Sequence, residues 1–494
     1  MQFGSLQRVG PLRLPVESGL GRIHAYGLLA IGSILAWFCG SMTLSACYTL
    51  ALVGAALLYE RRLAGIDVFS PFAFFTFLFF AGFGLRPLFL TYFLTDFYKN
   101  AWLFYHVEFF YYGRYAILCG QLGYLAFLLG YQRAERLRKP HAVRTSPAGD
   151  GEIARNLALA LSVVGAGCFF LYVYLLDMDL FNFLRWSPTI DKGGKYILQY
   201  GAFLFPLGNI PFLAYLRGRK GLLVRALYLL HFLAAAAISV SFHDRKWFVY
   251  FLLSLAVYYH YRVRRLHLVS CILLFAGVVA ALMVLQEARN TAYTYGSHAW
   301  RLWDRNFVSE QLLTGGMFSY FDYFAYTISA FETEPYLTGY CVRFFAESFI
   351  PSWFLGAEKL PAVSHYVAQN YLSHVAEAPA GSLFGEAYVE GGIGAILLAL
   401  PCVGYFFRRF YARTIGAKND IGTVLLYIVF FQAYCIVVRT GFMSATIFFI
   451  AMAVQLKLIL WGLSLRTSPH ERPRPAGHSA PLRGIGGGGG AGGA

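Results

Sequence analysis

Five stretches of this chain contain no Asp, Glu, Lys or Arg: 115–132, 156–176, 196–216, 266–286 and 421–438. Each is close to the ~20 residues that carry an α-helix across a hydrocarbon core. A chain punctuated this way is expected to fold as a bundle of membrane-crossing helices, because no soluble core of this size needs so many uncharged runs. Composition agrees. Only 13% of residues are charged, against about 25% in soluble chains. The 47 Phe and 35 Tyr suit aromatic belts at the two membrane interfaces.

Extending the same reading gives twelve predicted spans: 24–40, 42–59, 68–93, 108–131, 156–176, 196–216, 221–242, 247–261, 266–286, 391–407, 420–438 and 441–461. The first two form one uncharged run from Ala25 to Leu58. The sequence Cys39-Gly40-Ser41 inside it predicts a tight hairpin rather than one very long helix. The spans read as clean and the two halves of the chain as unlike each other.

Basic clusters recur at alternate junctions: Arg61-Arg62, Arg133 to Arg144, Arg217 to Lys220, Arg262 to Arg265, and Arg408 to Arg413. With both termini on that side, it carries 27 Lys+Arg against 8 Asp+Glu, a balance of +19. The opposite side carries 14 against 17, a balance of −3. The positive-inside rule then makes the basic side cytoplasmic, with both termini inside. Charge of this kind, spread over short junctions beside a membrane, favours anionic headgroups and argues against nucleic acid as a partner. The first twenty residues lack an apolar core for a cleavable signal, so the first span is expected to act as its own insertion signal.

The polar linker 133–155 divides the first four spans from the rest. A membrane domain over 1–465 is expected, followed by a disordered cytoplasmic tail over 466–494 that ends IGGGGGAGGA. Within the membrane domain, residues 287–390 form one large outer segment, from EARNTAYTYG to GSLFGEAYVE. Its Trp, Tyr and Phe content and its prolines at 335, 351, 361 and 379 predict short helices lying along the surface between turns. One of these is expected over Pro361–Ala376. Of the eight cysteines only Cys341 falls in this segment, which leaves no disulfide within it. No Cys/His spacing suggests a metal.

Candidate chemistry gathers at the outer side. Arg245 and Lys246 lie between the seventh and eighth spans, Arg289 follows the ninth, and Arg301 and Arg305 lie inside the large segment. Arg439 stands where the last two uncharged runs almost meet. A guanidinium grips phosphate oxygens bidentately and, in a low-dielectric cleft, stabilises a departing pyrophosphate. Snorkelling to headgroups or pairing with Asp244 is the competing reading of Arg245 and Lys246, and pairing with a carboxylate such as Glu386 is that of Arg439. Glu386 and Glu390, four residues apart, would share a helix face. Either is a candidate general base or a carboxylate favoured by a helix macrodipole. His365 and His374 are further candidate bases. Nine residues apart on one helix, they would face opposite ways and not share a metal.

The run GSLFGEAYVEGGIGAILLALPCVGYFFRRF resembles the segment that closes the large periplasmic loop of bacterial O-antigen and capsule repeat-unit polymerases (Wzy-type). The matching residues are Ser382, Gly385, Glu386, Tyr388, Gly392 and Gly394. The outer Arg245 and the late large loop also resemble that family. The resemblance covers about thirty residues as a motif and the whole chain as an architecture. It implies an all-α fold like that of GT-C glycosyltransferases, with about twelve transmembrane helices. It implies a polymerase in the bacterial inner membrane acting on undecaprenyl-diphosphate-linked oligosaccharide, without metal or cofactor. Membrane lipids, a flippase and a chain-length regulator are the implied partners.

O-antigen ligases share the architecture but carry an Asn after the loop histidine, and neither His365 nor His374 is followed by one. Other lipid-phosphate-dependent glycosyltransferases resemble one another in an acidic early outer loop, whereas Cys39-Gly40-Ser41 has no carboxylate. A lipid-linked oligosaccharide transporter, the reading from another class, would show charged or broken spans and repeated halves.

Overall fold

The computed structural model describes residues 19–63, 66–97, 108–134, 151–177, 196–217, 221–242, 245–267, 270–271, 273, 277, 280, 320–350, 352–355, 359–371, 381–415 and 420–466. Every element among them is helical. In chain order they are α1 (Gly19–Phe38), α2 (Met42–Leu63), α3 (Pro71–Phe79), a π-helical turn (Phe80–Leu85), α4 (Arg86–Phe97), α5 (Phe109–Arg133) and α6 (Gly151–Leu175). A broken helix follows as α7 (Tyr196–Ala202), α8 (Leu204–Leu207) and α9 (Asn209–Leu216), then α10 (Leu222–Ser241) and α11 (Arg245–Arg262). The outer segment contributes α12 (Tyr320–Ala330), α13 (Tyr340–Phe349), α14 (Ser352–Leu355) and α15 (Val363–Tyr371). The chain closes with α16 (Leu383–Ile415), α17 (Ile421–Tyr434), α18 (Val437–Thr440) and α19 (Phe442–Arg466).

Seven helical stretches among the described residues are long and apolar enough to cross a membrane: Met42–Arg62, Pro71–Tyr92, Gly151–Leu175, Ile197–Leu216, Leu222–Ser241, Leu383–Ile415 and Phe442–Leu463. The protein is therefore an all-α, multi-pass membrane protein. The predicted spans 24–40 and 420–438 coincide with shorter apolar helices, and 108–131 and 247–261 with helices α5 and α11. Most of the predicted span 266–286 lies outside the described residues. The hairpin is present. Gly40 turns the chain with φ +72°, and Tyr48 Oη donates to Leu29 O (2.8 Å) while Ser45 Oγ donates to Ala36 O (3.2 Å) across it.

Local signals explain the helix starts. Ser70 caps α3 by accepting from Ala73 N (3.2 Å), with Pro71 in the first turn. Asp420 caps α17 by accepting from Thr423 N (2.8 Å). The centre of the bundle is the pairing of α5 with α16. Glycines let the two backbones meet: a Cβ on Gly130 would overlap the Pro401 carbonyl, and one on Gly404 the Phe127 carbonyl. Rings of Phe75, Phe79, Phe127, Tyr124 and Phe384 stack in the space between α3, α5 and α16.

Among the described residues, the helix ends that border the basic clusters at 61–62, 217, 262–265 and 408–413 come together at one end. Arg217 donates to Arg262 O (2.9 Å), and Arg408 pairs with Glu60 (3.6 Å). Asp67 accepts from Tyr261 Oη (3.0 Å) and Tyr411 Oη (2.5 Å) and meets His260 Nε2 (3.3 Å). His260 Nδ1 accepts from Leu266 N (3.1 Å), so Nε2 carries the hydrogen that points at Asp67. Tyr427 Oη closes the cluster by donating to Phe69 O (2.5 Å).

Two expectations need correcting. The spans are not all clean: Arg86 is buried within 71–92, and 196–216 is interrupted between α7, α8 and α9, where Pro206 and Pro211 each remove a backbone donor. The outer segment is also not confined to the surface. Tyr320, Phe321, Phe324 and Ala325 of α12 are fully buried against the bundle.

Candidate functional site

Besides the broken helix α7–α9, three helices lose their regular backbone away from the basic end, and the groups that repair these three breaks come from elsewhere in the chain. The first break is the π-helical turn Phe80–Leu85. Tyr320 Oη donates to the Leu78 carbonyl (2.5 Å), and the Tyr320 ring fills the space a Cβ on Gly82 would occupy. A side chain inserted at this point is a physical reason for the widened turn. The next residue, Arg86, makes a bidentate pair with Asp322 on α12. Its Nε donates to Oδ1 (3.2 Å) and its Nη2 to Oδ2 (2.5 Å), and both side chains are 3% exposed.

The second break lies inside α16. Gly391 and Gly392 leave the helical region, and Gly392, at φ 65° and ψ −151°, adopts a backbone open to glycine almost alone. The Val389 carbonyl it releases accepts from Leu337 N (2.8 Å), and that of Glu390 accepts from Thr338 Oγ1 (3.2 Å). The short helical piece before the break begins with Ser382, whose Oγ accepts from Gly385 N (2.8 Å). Ser382, Gly385 and Gly392 of the closing motif thus fix where this piece starts and stops.

The third break separates α17 from α19 through α18 and Gly441 (φ 90°, ψ 158°). Here Glu386 does the repair. Its Oε2 accepts from Phe442 N (2.5 Å) and Met443 N (3.1 Å), the first amides of α19. Gly441 passes so close that a Cβ there would overlap the carboxylate. Glu390, a turn further along, caps another helix in the same way. Its Oε2 accepts from Gly339 N (2.6 Å) and its Oε1 from Cys341 N, at the start of α13. The two carboxylates do share a helix, and each sits on the positive end of a different neighbouring helix.

Arg439 lies on α18, two residues before Gly441. Its Nε is buried and has no hydrogen-bond partner among the described residues. No ion pair among the described residues joins it to Glu386. Tyr320 lies within electrostatic reach of both Arg439 and Arg86. Lys246 is placed at the same end: its neighbour Trp247 packs on Phe448 (ring centroids 5.7 Å) in the first turns of α19, and Lys246 Nζ lies over the Trp247 ring (5.4 Å). Arg245 begins α11, but its side chain lies outside the described residues, as do Arg289, Arg301, Arg305 and His374. His365 stands exposed on α15, and the protein around it lowers its pKa by desolvation. The Cys341 thiol is pushed far up by burial, and further by Glu386 and Glu390, so it remains protonated and inert. Among the described residues no three His, Cys, Asp or Glu side chains converge as a metal set.

Sequence reasoning missed Arg86, Asp322 and Tyr320. The signal for Arg86 is present: it is the one charged residue in 68–93, and a lone intramembrane charge implies a partner. Asp322, inside the aromatic run YFDYFAY, is the candidate such a search would have reached. No family model, curated protein or solved structure matches this chain.

Proposed function

We propose that this chain is a membrane glycosyltransferase. In this reading it polymerises undecaprenyl-diphosphate-linked oligosaccharide repeat units at the periplasmic face of the bacterial inner membrane. It has about twelve spans in a GT-C-like arrangement, with both termini in the cytoplasm. The hydroxyl of an incoming lipid-linked unit attacks the anomeric carbon of the growing glycan, and undecaprenyl diphosphate departs with the bonding electrons. Arg439 and Lys246, with Arg245 and Arg289, take the charge that develops on the diphosphate. His365, an exposed imidazole whose pKa is lowered by desolvation, accepts the hydroxyl proton. Glu386 and Glu390 hold the helix ends around the site.

The observation that carries the reading is Arg439. A guanidinium nitrogen buried without a partner, at the end of the bundle away from the basic clusters, suits a phosphate-bearing substrate that completes its coordination. The test is elongation of a purified lipid-linked repeat unit by purified protein, with and without chelator. Wild type gives long chains in both conditions, and Arg439→Ala gives none while still inserting and unfolding like wild type. Normal chain lengths from Arg439→Ala would end the proposal.

A transporter of the same lipid-linked sugars is the second reading. The interrupted helix α7–α9 favours it, as does a polar contact in mid-span between Ser162 of α6 and His231 Nε2 of α10 (2.7 Å). Vesicles separate the two readings: a transporter moves single units across the bilayer without lengthening them.

A further inference from the structure

Helix α13 has ten residues, about 15 Å at 1.5 Å per residue, and is too short to cross a bilayer. Its side chains are strongly sorted. Cys341 is buried, and Phe344 and Ser348 are half-buried. Val342, Ala346 and Phe349, at spacings of four and three, form an exposed stripe. Val342 is 66% exposed and Phe349 47%, and on the next short helix, α14, Phe354 is 73% exposed. The polar edge is Arg343, whose Nε donates to Glu347 Oε1 (2.7 Å) while the side chain remains 71% exposed.

The height of this helix is fixed by contacts already described. Glu390, the residue just before the Gly391-Gly392 break, caps its first turn, and α13 packs on α16 and on α19. Beyond the break α16 runs as a regular helix, and its outward side chains Leu397 and Leu398, 42% and 77% exposed, begin the apolar belt of the bundle. Glu390, which caps α13, and Leu397, the first of these leucines, are seven residues apart on α16, so the start of α13 is held close to where the exposed leucines begin.

We propose that α13 and α14 form an interfacial membrane anchor. The apolar stripe lies at the boundary between headgroups and acyl chains of the leaflet at this end, and Arg343 faces the lipid phosphates. An apolar face with a charged edge, on a helix parallel to the surface, is what such a boundary accepts. The occupant is the phospholipid monolayer, because α13 is held by its Glu390 cap to the membrane-length helix α16 beside the point where that helix's exposed leucines begin, and its own exposed stripe is apolar. This inference rests on the multi-pass membrane fold and is independent of the proposed enzymatic activity.

Photocrosslinking tests it. Phe349→p-benzoylphenylalanine and Phe354→p-benzoylphenylalanine replace exposed rings with slightly larger ones. Glu334→p-benzoylphenylalanine, in an exposed turn, is the control. Each variant is reconstituted into phosphatidylethanolamine/phosphatidylglycerol vesicles, illuminated and read by intact mass. A mass shift of one phospholipid at Phe349 and Phe354, several-fold above the Glu334 level, is the expected result. Crosslinks to a second copy of the chain, or lipid adducts no more frequent than at Glu334, would overturn the proposal.

Discussion

Glu386 separates a cap from a base most sharply. Its carboxylate is buried, 6% exposed, and a single oxygen accepts both leading amides of α19. Glu386→Ala removes both bonds and leaves two buried N–H groups facing a void. Charge-assisted bonds of this kind contribute ~1.5–3 kcal/mol each and are not additive, so the net loss should be about 3 kcal/mol. Glu386→Gln keeps an oxygen where the amides point and forfeits mainly the charge–dipole interaction, about 1 kcal/mol. Thermal unfolding in detergent reads the difference. A large chain shifts by less than the ~2–4 °C per kcal/mol of mid-sized domains, so roughly 5 °C is expected for Ala and 2 °C for Gln. Elongation by Glu386→Gln should survive at a reduced rate, because a cap needs an acceptor and not a proton acceptor. A Gln variant that unfolds like wild type but forms no long chains would refute the cap and make Glu386 the base. Equal destabilisation by Gln and Ala would also refute it.

The Arg86–Asp322 pair should behave as a buried ion pair that specifies position. Arg86→Met alone strands a buried carboxylate and should destabilise by ~3–5 kcal/mol, seen as loss of monodisperse protein on size exclusion, while Arg86→Met with Asp322→Leu recovers most of it. A double variant as unstable as the single one would contradict this. At the basic end, burial alone would raise the Asp67 pKa, but its bonds to His260, Tyr411 and Tyr261 outweigh burial and hold it low. A depressed carboxylate stabilises the fold above its ordinary titration range, and that contribution fades as pH falls through the depressed value. The unfolding temperature should therefore drop on acidification, and Asp67→Asn should lower it at neutral pH while flattening that drop. An unchanged acid limb in Asp67→Asn would show that other groups carry it.

The uncharged runs and alternating basic clusters made the helical membrane fold legible, because length and charge act locally along the chain. The Gly40 hairpin was legible for the same reason. The break at Gly391-Gly392 was only half legible, since the glycines suggested close packing as readily as a change of direction. The π-helical turn was not legible at all. It depends on Tyr320, more than two hundred residues away, inserting against Leu78 and Gly82, and nothing within FFAGFGL encodes that partner. For Glu386 and Glu390 the shared helix was legible from their spacing, but their hydrogen bonds to the first amides of α19 and α13 were not, because only the tertiary fold brings those termini to them.

The three breaks share a physical problem with a common solution. Non-helical backbone within a membrane helix is tolerated only where protein or water meets the freed polar groups. Here protein meets them, and most of it comes from one place. Tyr320 serves the π-helical turn, and Leu337 and Thr338 serve the break at Gly391-Gly392. Glu386, at the close of the same outer segment, serves the start of α19. Without residues 320–390 each of these helices would expose unsatisfied backbone, so the segment is a structural component of the membrane bundle and not an appended domain. The dependence also runs the other way, because α13 takes its cap from Glu390 and α12 its anchor from Arg86. A movement of the outer segment must therefore disturb the helix ends around Arg439, and a ligand held by Arg439 must in turn restrain the segment. Under the proposed function, that reciprocity would tie the outer segment to the arginine assigned to the diphosphate.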